Sequence, residues 1–399
     1  MNKIIKVGKN PLKDMLQFKN LGKERDKVID STPLSDIEYN DPIKEKADHL
    51  HPGKLKVIVE KIIPRYDAKE YVLSSLDSSP LPFFKAGSYV SLKLKIGDVY
   101  TSRPYSICSS PKEALNGKLS IMIEDYEAGF FAPYVYRNLK VGDIVEISEP
   151  LGTFIYNPLR DKTSVVALAG GSGVTPFISM AYAIRDGLED FDLTILYGSR
   201  NVDSIYFKEE IDDLEKSTNK VKIVHILSDE ELDGFEYGFI NSNLIKKYAP
   251  VGEFSIFACG PGSFYSFMKK DIKKLNLPER LIRFEMEAVS RDLESDPSYP
   301  KNTRNKFFKG IIKQCGKEYT INLRADEPIL TSIERAGIKA QASCRSGVCG
   351  WCRTKVISGD TYNPKKNDYR RKGDCLLGYI HPCASFPLSD LVLEICAED

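Results

Sequence analysis

SCRSGVCGWC, from Ser343 to Cys352, places Cys344, Cys349 and Cys352 at C-x4-C-x2-C spacing, and Cys383 follows further along the chain. Three thiolates from one loop converge only if the backbone wraps tightly around what they hold. Gly347 and Gly350 supply the dihedral freedom for that wrap and leave room for N–H groups to face sulfur. The distant fourth thiolate locks the loop down. Structural zinc more often takes two short cysteine pairs. One triple plus a distant single is instead the ligand pattern of a [2Fe–2S] cluster. Residues 306–399 form the unit around this loop. It opens with a hairpin pattern, FKGIIKQCGKEYTINL, and a short helix pattern, EPILTSIERAG. Cys315, Cys375 and Cys396 lie outside the ligand pattern and are expected to be ordinary small residues.

Upstream, residues 291–305 are polar and carry two prolines, the composition of a linker. Before them the texture is α/β. TSVVALAG, FDLTILYGS, VKIVHIL and EFSIFACG are strands, and helical runs lie between or after them, so residues 159–290 predict a parallel sheet. Gly170, Gly171 and Gly173 make a turn after the first strand, Thr175 is placed to cap the next helix, and Pro176 suits its first turn. Such a turn lets backbone approach a pyrophosphate, with the helix N-terminus favouring its charge. This is not the G-x-G-x-x-G spacing of dinucleotide dehydrogenases. Residues 51–158 are six or so short strands, which predict a small antiparallel barrel.

Residues 1–50 are rich in Lys, Asp, Asn and Glu, with breakers at Pro11, Pro33 and Pro42. They are expected to be an irregular arm or surface strap of unknown role. His49 and His51 lack a third partner and predict no metal site. The full 399 residues carry 42 % hydrophobic and 28 % charged residues, an ordinary globular balance. The net charge of +1 does not point to nucleic acid. No run approaches the roughly 18 apolar residues of a spanning helix, and no secretory signal is evident, so a cytoplasmic protein without membrane insertion is expected.

Within the barrel stands RPYSICSSP, from Arg103 to Pro111. With the barrel, the glycine turn and FACGPG at 257–262, it resembles the ferredoxin–NADP reductase superfamily over residues ~54 to ~290. Residues 306–399 resemble plant-type ferredoxins. The resemblance implies that Arg103 pairs with a flavin phosphate, for which a guanidinium is a good bidentate partner. Tyr105 would stack on the flavin or hydrogen-bond its ribityl chain, Pro104 would adjoin it in the same site, and Ser106 would hydrogen-bond near the hydride-accepting N5. Gly129, Phe130 and Ala132 open a short helix, PYVYRNL, where an FAD pyrophosphate rests in the family. Relatives commonly carry a hydroxyl residue at the position of Ala132. EPLGTF at 149–154 resembles the G-P-x-G-x-F element that favours FAD over FMN, with Glu149 replacing the first glycine. FAD is therefore expected, with FMN as the alternative. Cys259, Gly260 and Pro261 would border the nicotinamide–flavin contact. Ser199 and Arg200 follow the second α/β strand, where a 2′-phosphate would sit, and leave NADH and NADPH both open.

The implied chemistry is transfer from NAD(P)H through flavin to the [2Fe–2S] cluster and on to a protein acceptor, in the manner of oxygenase reductase components. Two other readings stand beside it: the electron-input subunit of a stable complex, and a cluster-based redox sensor. Residues 306–399 carry fifteen Lys and Arg against eleven Asp and Glu. Their basic run KKNDYRRK is either a solvated loop or a docking patch for an acidic partner.

Overall fold

The computed structural model describes residues 10–31, 43, 46–47, 53–125, 130–286, 289, 293, 296–300, 303 and 305–395. Two compact units result, Met1–His49 and Leu50–Asp399. In the first, α1 spans Pro11–Ser31 and none of its residues is buried. Pro11 is not the breaker that its residue type suggests. It is instead the first helical residue, where the missing N–H costs nothing. The Asn10 side chain accepts from the N–H groups of Leu12 at 3.2 Å and Lys13 at 3.4 Å. Pro33, Pro42, His49 and His51 lie outside the described residues.

The second unit begins with six strands: β1 (Lys54–Arg65), β2 (Ala68–Ser75), β3 (Tyr89–Ile96), β4 (Val99–Ser106), β5 (Lys118–Glu124) and β6 (Ile144–Ser148). They pair antiparallel in the order β4-β3-β6-β1-β2-β5. A bridge from Ile107 to Ile121 joins the two edges and closes the expected barrel. Alternate residues such as Val57, Val59, Tyr71, Leu73, Val90 and Leu92 fill its core. Two short helices, α2 (Pro111–Leu115) and α3 (Phe131–Asn138), lie between its last strands.

The α/β region runs β7 (Ser164–Gly170), α4 (Thr175–Arg185), β8 (Asp192–Ser199), α5 (Lys208–Ser217), β9 (Val221–Leu227), β10 (Glu236–Tyr237), α6 (Ser242–Tyr248), β11 (Ser255–Cys259), α7 (Gly262–Asp271) and β12 (Ile282–Phe284). All six strands are parallel, in the order β10-β9-β8-β7-β11-β12. The strand order reverses at β7 and β11. Ligands of open parallel sheets bind at the carboxyl ends of the strands flanking such a reversal, here Gly170 and Cys259.

The third region contains β13 (Phe307–Gln314), β14 (Lys317–Arg324), α8 (Ile329–Arg335), β15 (Thr354–Ser358), β16 (Thr361–Tyr362), α9 (Lys372–Leu376), β17 (Tyr379–Ile380), β18 (Phe386–Pro387) and β19 (Leu391–Ile395). Its main sheet is ordered β14-β13-β19-β15-β17. The first and last long strands, β13 and β19, run parallel and α8 packs across them, the α+β β-grasp that the resemblance to plant-type ferredoxins implies. The predicted linker is not a loose tether in its described residues. Leu293 and Tyr299 are buried with Tyr362 and Phe386. The Tyr299 hydroxyl donates to the Ala325 carbonyl at 3.0 Å, and the Tyr362 hydroxyl to Asp296 at 2.5 Å. Aromatic burial outweighs the polar composition that suggested a linker.

Candidate functional site

The cysteine loop folds as its glycines require. Gly347 and Gly350 adopt φ of +84° and +76°. A Cβ on Gly347 would lie 2.4 Å from the Asn367 carbonyl oxygen, so no larger residue fits. Arg345 also takes a positive φ, +54°. His381 donates from Nδ1 to the Gly347 carbonyl at 2.6 Å and braces the turn. The N–H groups of Ser346 and Cys349 lie 3.5 and 3.3 Å from the Cys344 sulfur.

The Cys352 and Cys383 sulfurs are 3.3 Å apart. Cys344 touches both Cys349 and Cys383. These contacts push the Cys344 thiol down and the Cys349 and Cys383 thiols up, since neighbouring sulfurs cannot all ionise alone. Bound cations remove that conflict. Among the described residues, no three His, Cys, Asp or Glu side chains are arranged around a single metal ion. Four sulfurs in contact in the order 349, 344, 383, 352 supply the four thiolates that a [2Fe–2S] core takes.

Behind this loop opens a cavity of about 1100 Å³. Arg103, Pro104, Tyr105 and Ser106 at the end of β4 form one wall, with Phe130, Phe131 and Ala132 at the start of α3. Glu285 lies beside them, and Cys344 and Cys383 also reach the cavity. Ligand pockets typically hold about 300–1,000 Å³, so a dinucleotide fits. Arg103 Nη1 donates to Thr101 Oγ1 at 2.8 Å and to the Ser102 carbonyl at 2.7 Å, and its guanidinium lies 5.5 Å from the Phe131 ring centre. Tyr105 stacks on Phe131 with ring centres 6.4 Å apart. The helix starts at Phe131, so Pro133 is its third residue, not its first. No side chain caps it, leaving backbone N–H groups for an anion and making the missing hydroxyl at Ala132 tolerable. Gly129 lies outside the described residues.

The glycine turn abuts the Cys-Gly-Pro turn after β11. A Cβ on Gly173 would fall 2.3 Å from the Cys259 carbonyl oxygen, and one on Gly170 3.3 Å from Pro261. A Cβ on Gly260 would meet the Phe264 ring at 2.8 Å. Gly171 takes φ +55°. Thr175 does not cap α4 as expected. It is the first residue of that helix, and its hydroxyl donates to the Ser172 carbonyl at 3.0 Å. Pro176 sits in the first turn as expected. Ser199 ends β8, and the Arg200 N–H donates to Ser204 Oγ at 3.1 Å while its carbonyl accepts from Asp229.

Ser106 and Cys259 meet at a residue that sequence reasoning missed. Ser106 Oγ donates to Glu285 Oε1 and Cys259 Sγ to Oε2, both at 2.6 Å. Glu285 follows β12, a three-residue strand too short to stand out in the sequence. Its main-chain N–H donates to the Ala258 carbonyl at 3.0 Å, fixing it beside β11. Burial raises the Glu285 carboxyl above the usual carboxylate range, against the lowering pull of its two donors. Burial also raises the Cys259 thiol well above its ordinary value, so it stays protonated and able to donate.

The barrel and the cysteine loop are bolted together by polar groups. The Tyr89 and Ser91 hydroxyls lie 3.3 and 3.2 Å from Ser343 Oγ, and Ser102 Oγ donates to the Ala342 carbonyl at 3.2 Å. Buried Thr101 is the centre of the bolt. Its hydroxyl accepts from Arg103 and, at 2.9 Å, from Arg345, and donates to Glu334 at 3.2 Å. That satisfies one donor and two lone pairs. Partly buried Arg345 forms an ion pair with buried Glu334.

Comparison with known proteins agrees with this geometry. Residues 67–156 match the oxidoreductase FAD-binding domain, 167–270 the oxidoreductase NAD-binding domain, and 312–387 the 2Fe-2S iron-sulfur cluster binding domain. The three domain models follow one another along the chain in the order FAD-binding, NAD-binding and 2Fe-2S. The chain is an NAD(P)H-dependent flavin and iron–sulfur oxidoreductase with a C-terminal [2Fe–2S] domain. The carnitine monooxygenase reductase subunit from Escherichia coli is 27 % identical, over 73 % of this chain and 83 % of that protein. The ferredoxin reductase component of 3-ketosteroid-9-alpha-monooxygenase from Mycobacterium tuberculosis is 28 % identical, over 87 % of this chain and 96 % of the relative. In fold, this reductase resembles phthalate dioxygenase reductase, with a TM-score of 0.60 and 23 % identity, covering 86 % of this chain and 98 % of that one. Among the described residues, no helix is long and apolar enough to cross a membrane.

Proposed function

We propose that this oxidoreductase serves a separate protein acceptor, as the reductase component of an oxygenase or another redox enzyme. One observation carries the reading: a single cavity runs from Ser106 and Glu285 to two cluster ligands, Cys344 and Cys383. A flavin bound in that cavity would supply the conversion between the two-electron hydride chemistry of NAD(P)H and the one-electron chemistry of the cluster. The chain's own residues set the conditions for this. Arg103 and the open N-terminus of α3 hold the flavin's anionic part. Gly170, Gly173 and Gly260 let the protein's glycine turn close against the Cys259 turn, where the nicotinamide nucleotide would bind. Glu285 fixes the Ser106 hydroxyl and the Cys259 thiol at the ring-to-ring contact. Thr101 and Ser343 keep the cysteine loop against the barrel.

Anaerobic titration with NADH and, separately, NADPH tests the proposal, followed by absorbance and low-temperature EPR and then by addition of an oxidised protein acceptor. Flavin bleaching, a rhombic [2Fe–2S] signal and its loss on adding acceptor are the expected results. A cluster that fills but never discharges to any protein acceptor would overturn the reductase-component reading.

A further inference from the structure

The cluster ligands divide between two sides of the loop. Cys344, Cys352 and Cys383 are buried, whereas Cys349 is exposed. Cys349 lines a second, open hollow of about 380 Å³ with Gln341, Gly350, Trp351, Arg353 and Tyr379, and none of these residues lines the flavin cavity. The Arg353 guanidinium lies 3.9 Å from the Tyr379 ring centre and pairs with Asp374 of α9 at 2.6 Å. Lys355 lies over the same ring and donates to the Leu377 carbonyl. These contacts gather the cysteine loop, β15, β17 and α9 into one face.

That region carries exposed apolar side chains and an excess of basic ones. Trp351 is 49 % exposed and Leu376 85 %, and Val348 and Leu377 are exposed with them. Residues 351–380 hold seven Lys and Arg against three Asp and Glu, although the whole chain is at only +1, so the remainder is net negative. Asp374 and Asp368 are already paired, with Arg353 and Arg370. A basic surface of this kind repels a second copy of itself and steers an acidic partner.

We propose that this face docks an acidic electron-acceptor protein, placing the acceptor at Cys349, away from the flavin. The inference rests on the reductase reading and names the partner's chemistry. It gives the basic run around residues 365–372 a role beyond solvation.

Acidic cytochrome b5 and basic cytochrome c, compared with the full-length protein, test it. Each haem takes one electron, so one NAD(P)H reduces two. Two measurements are made at about 10 mM and about 300 mM salt: calorimetric binding of the oxidised cytochromes and their steady-state reduction. Cytochrome b5 should bind and be reduced at least about tenfold better at low salt, and cytochrome c should not. The double variant R371E/K372E should reverse that preference while NAD(P)H still fills the protein's own cluster, as read by EPR. An unchanged preference in the variant overturns the docking site. So does a low-salt dimer, seen by sedimentation, that the variant disperses. Failure of NAD(P)H to fill the cluster instead overturns the reductase reading, and the calorimetric comparison still decides the surface.

Discussion

The cysteine loop and the proposed hydride site solve the same problem, holding several reactive side chains together, in opposite ways. Three of the proposed cluster ligands come from one ten-residue stretch, and its glycines make the turn possible. Ser106, Cys259 and Glu285 come from β4, β11 and the end of β12, in two domains. The first assembly depends on local backbone chemistry. The second exists only once a barrel and a parallel sheet have packed together. A defect in the first should therefore abolish one cofactor outright, and a defect in the second should slow one step while every cofactor stays in place.

The largest expected effect comes from the local site. Cys383→Ala removes the ligand that locks the loop, and the visible iron–sulfur absorption and the EPR signal should vanish. Flavin content, measured after denaturation, should persist. Loss of both would mean that the two regions are not independent.

Glu285→Ala is next. It removes the acceptor shared by Ser106 and Cys259, and stopped-flow flavin reduction should slow about 10- to 100-fold, roughly 1.4–2.7 kcal/mol of barrel–sheet positioning. The chemically reduced cluster should keep its EPR signal. Glu285→Gln adds a test by pH. The folded state raises this carboxyl above its unfolded value of about 4.3 and so favours the neutral form. That contribution is complete below the unfolded value and is lost as pH rises through the raised one. The melting temperature of Glu285→Gln, measured against the parent, should therefore shift in the variant's favour as pH rises from about 5 to about 8. A constant difference would remove Glu285's buried charge from the account.

The smallest effect is expected where the two regions meet. Thr101→Val keeps shape but deprives Arg103 and Arg345 of an acceptor and Glu334 of a donor. It should cost about 1–3 kcal/mol of stability and slow flavin-to-cluster transfer a few-fold, seen as a lag of cluster bleaching behind flavin bleaching. Simultaneous bleaching at the parent rate would show that the bolt does not position the loop.

These differences also explain what was legible beforehand. The cysteine spacing, the strand–helix alternation and the glycine turn are patterns within a few residues, and the structure reproduces each. The helix at Pro11–Ser31 was hidden because proline at a first helical position looks like a breaker until the preceding Asn10 is read as a cap. Thr175 lies one position beyond the cap, enough to turn an expected acceptor into a donor. Glu285 carries no local signal at all. Its meaning lies in bonds to residues 179 and 26 positions away. The tether misled in the opposite sense, because its charges and prolines concealed Leu293 and Tyr299.

Those two anchors have a consequence for timing. A domain hung on a loose cord would have to swing to its donor, and its motion would slow in a thick solvent. Here the cord is seated on the domain it carries and the cysteine loop is already pinned to the barrel. Glycerol should therefore leave the internal handover at its own pace and delay only encounters with partners arriving from outside.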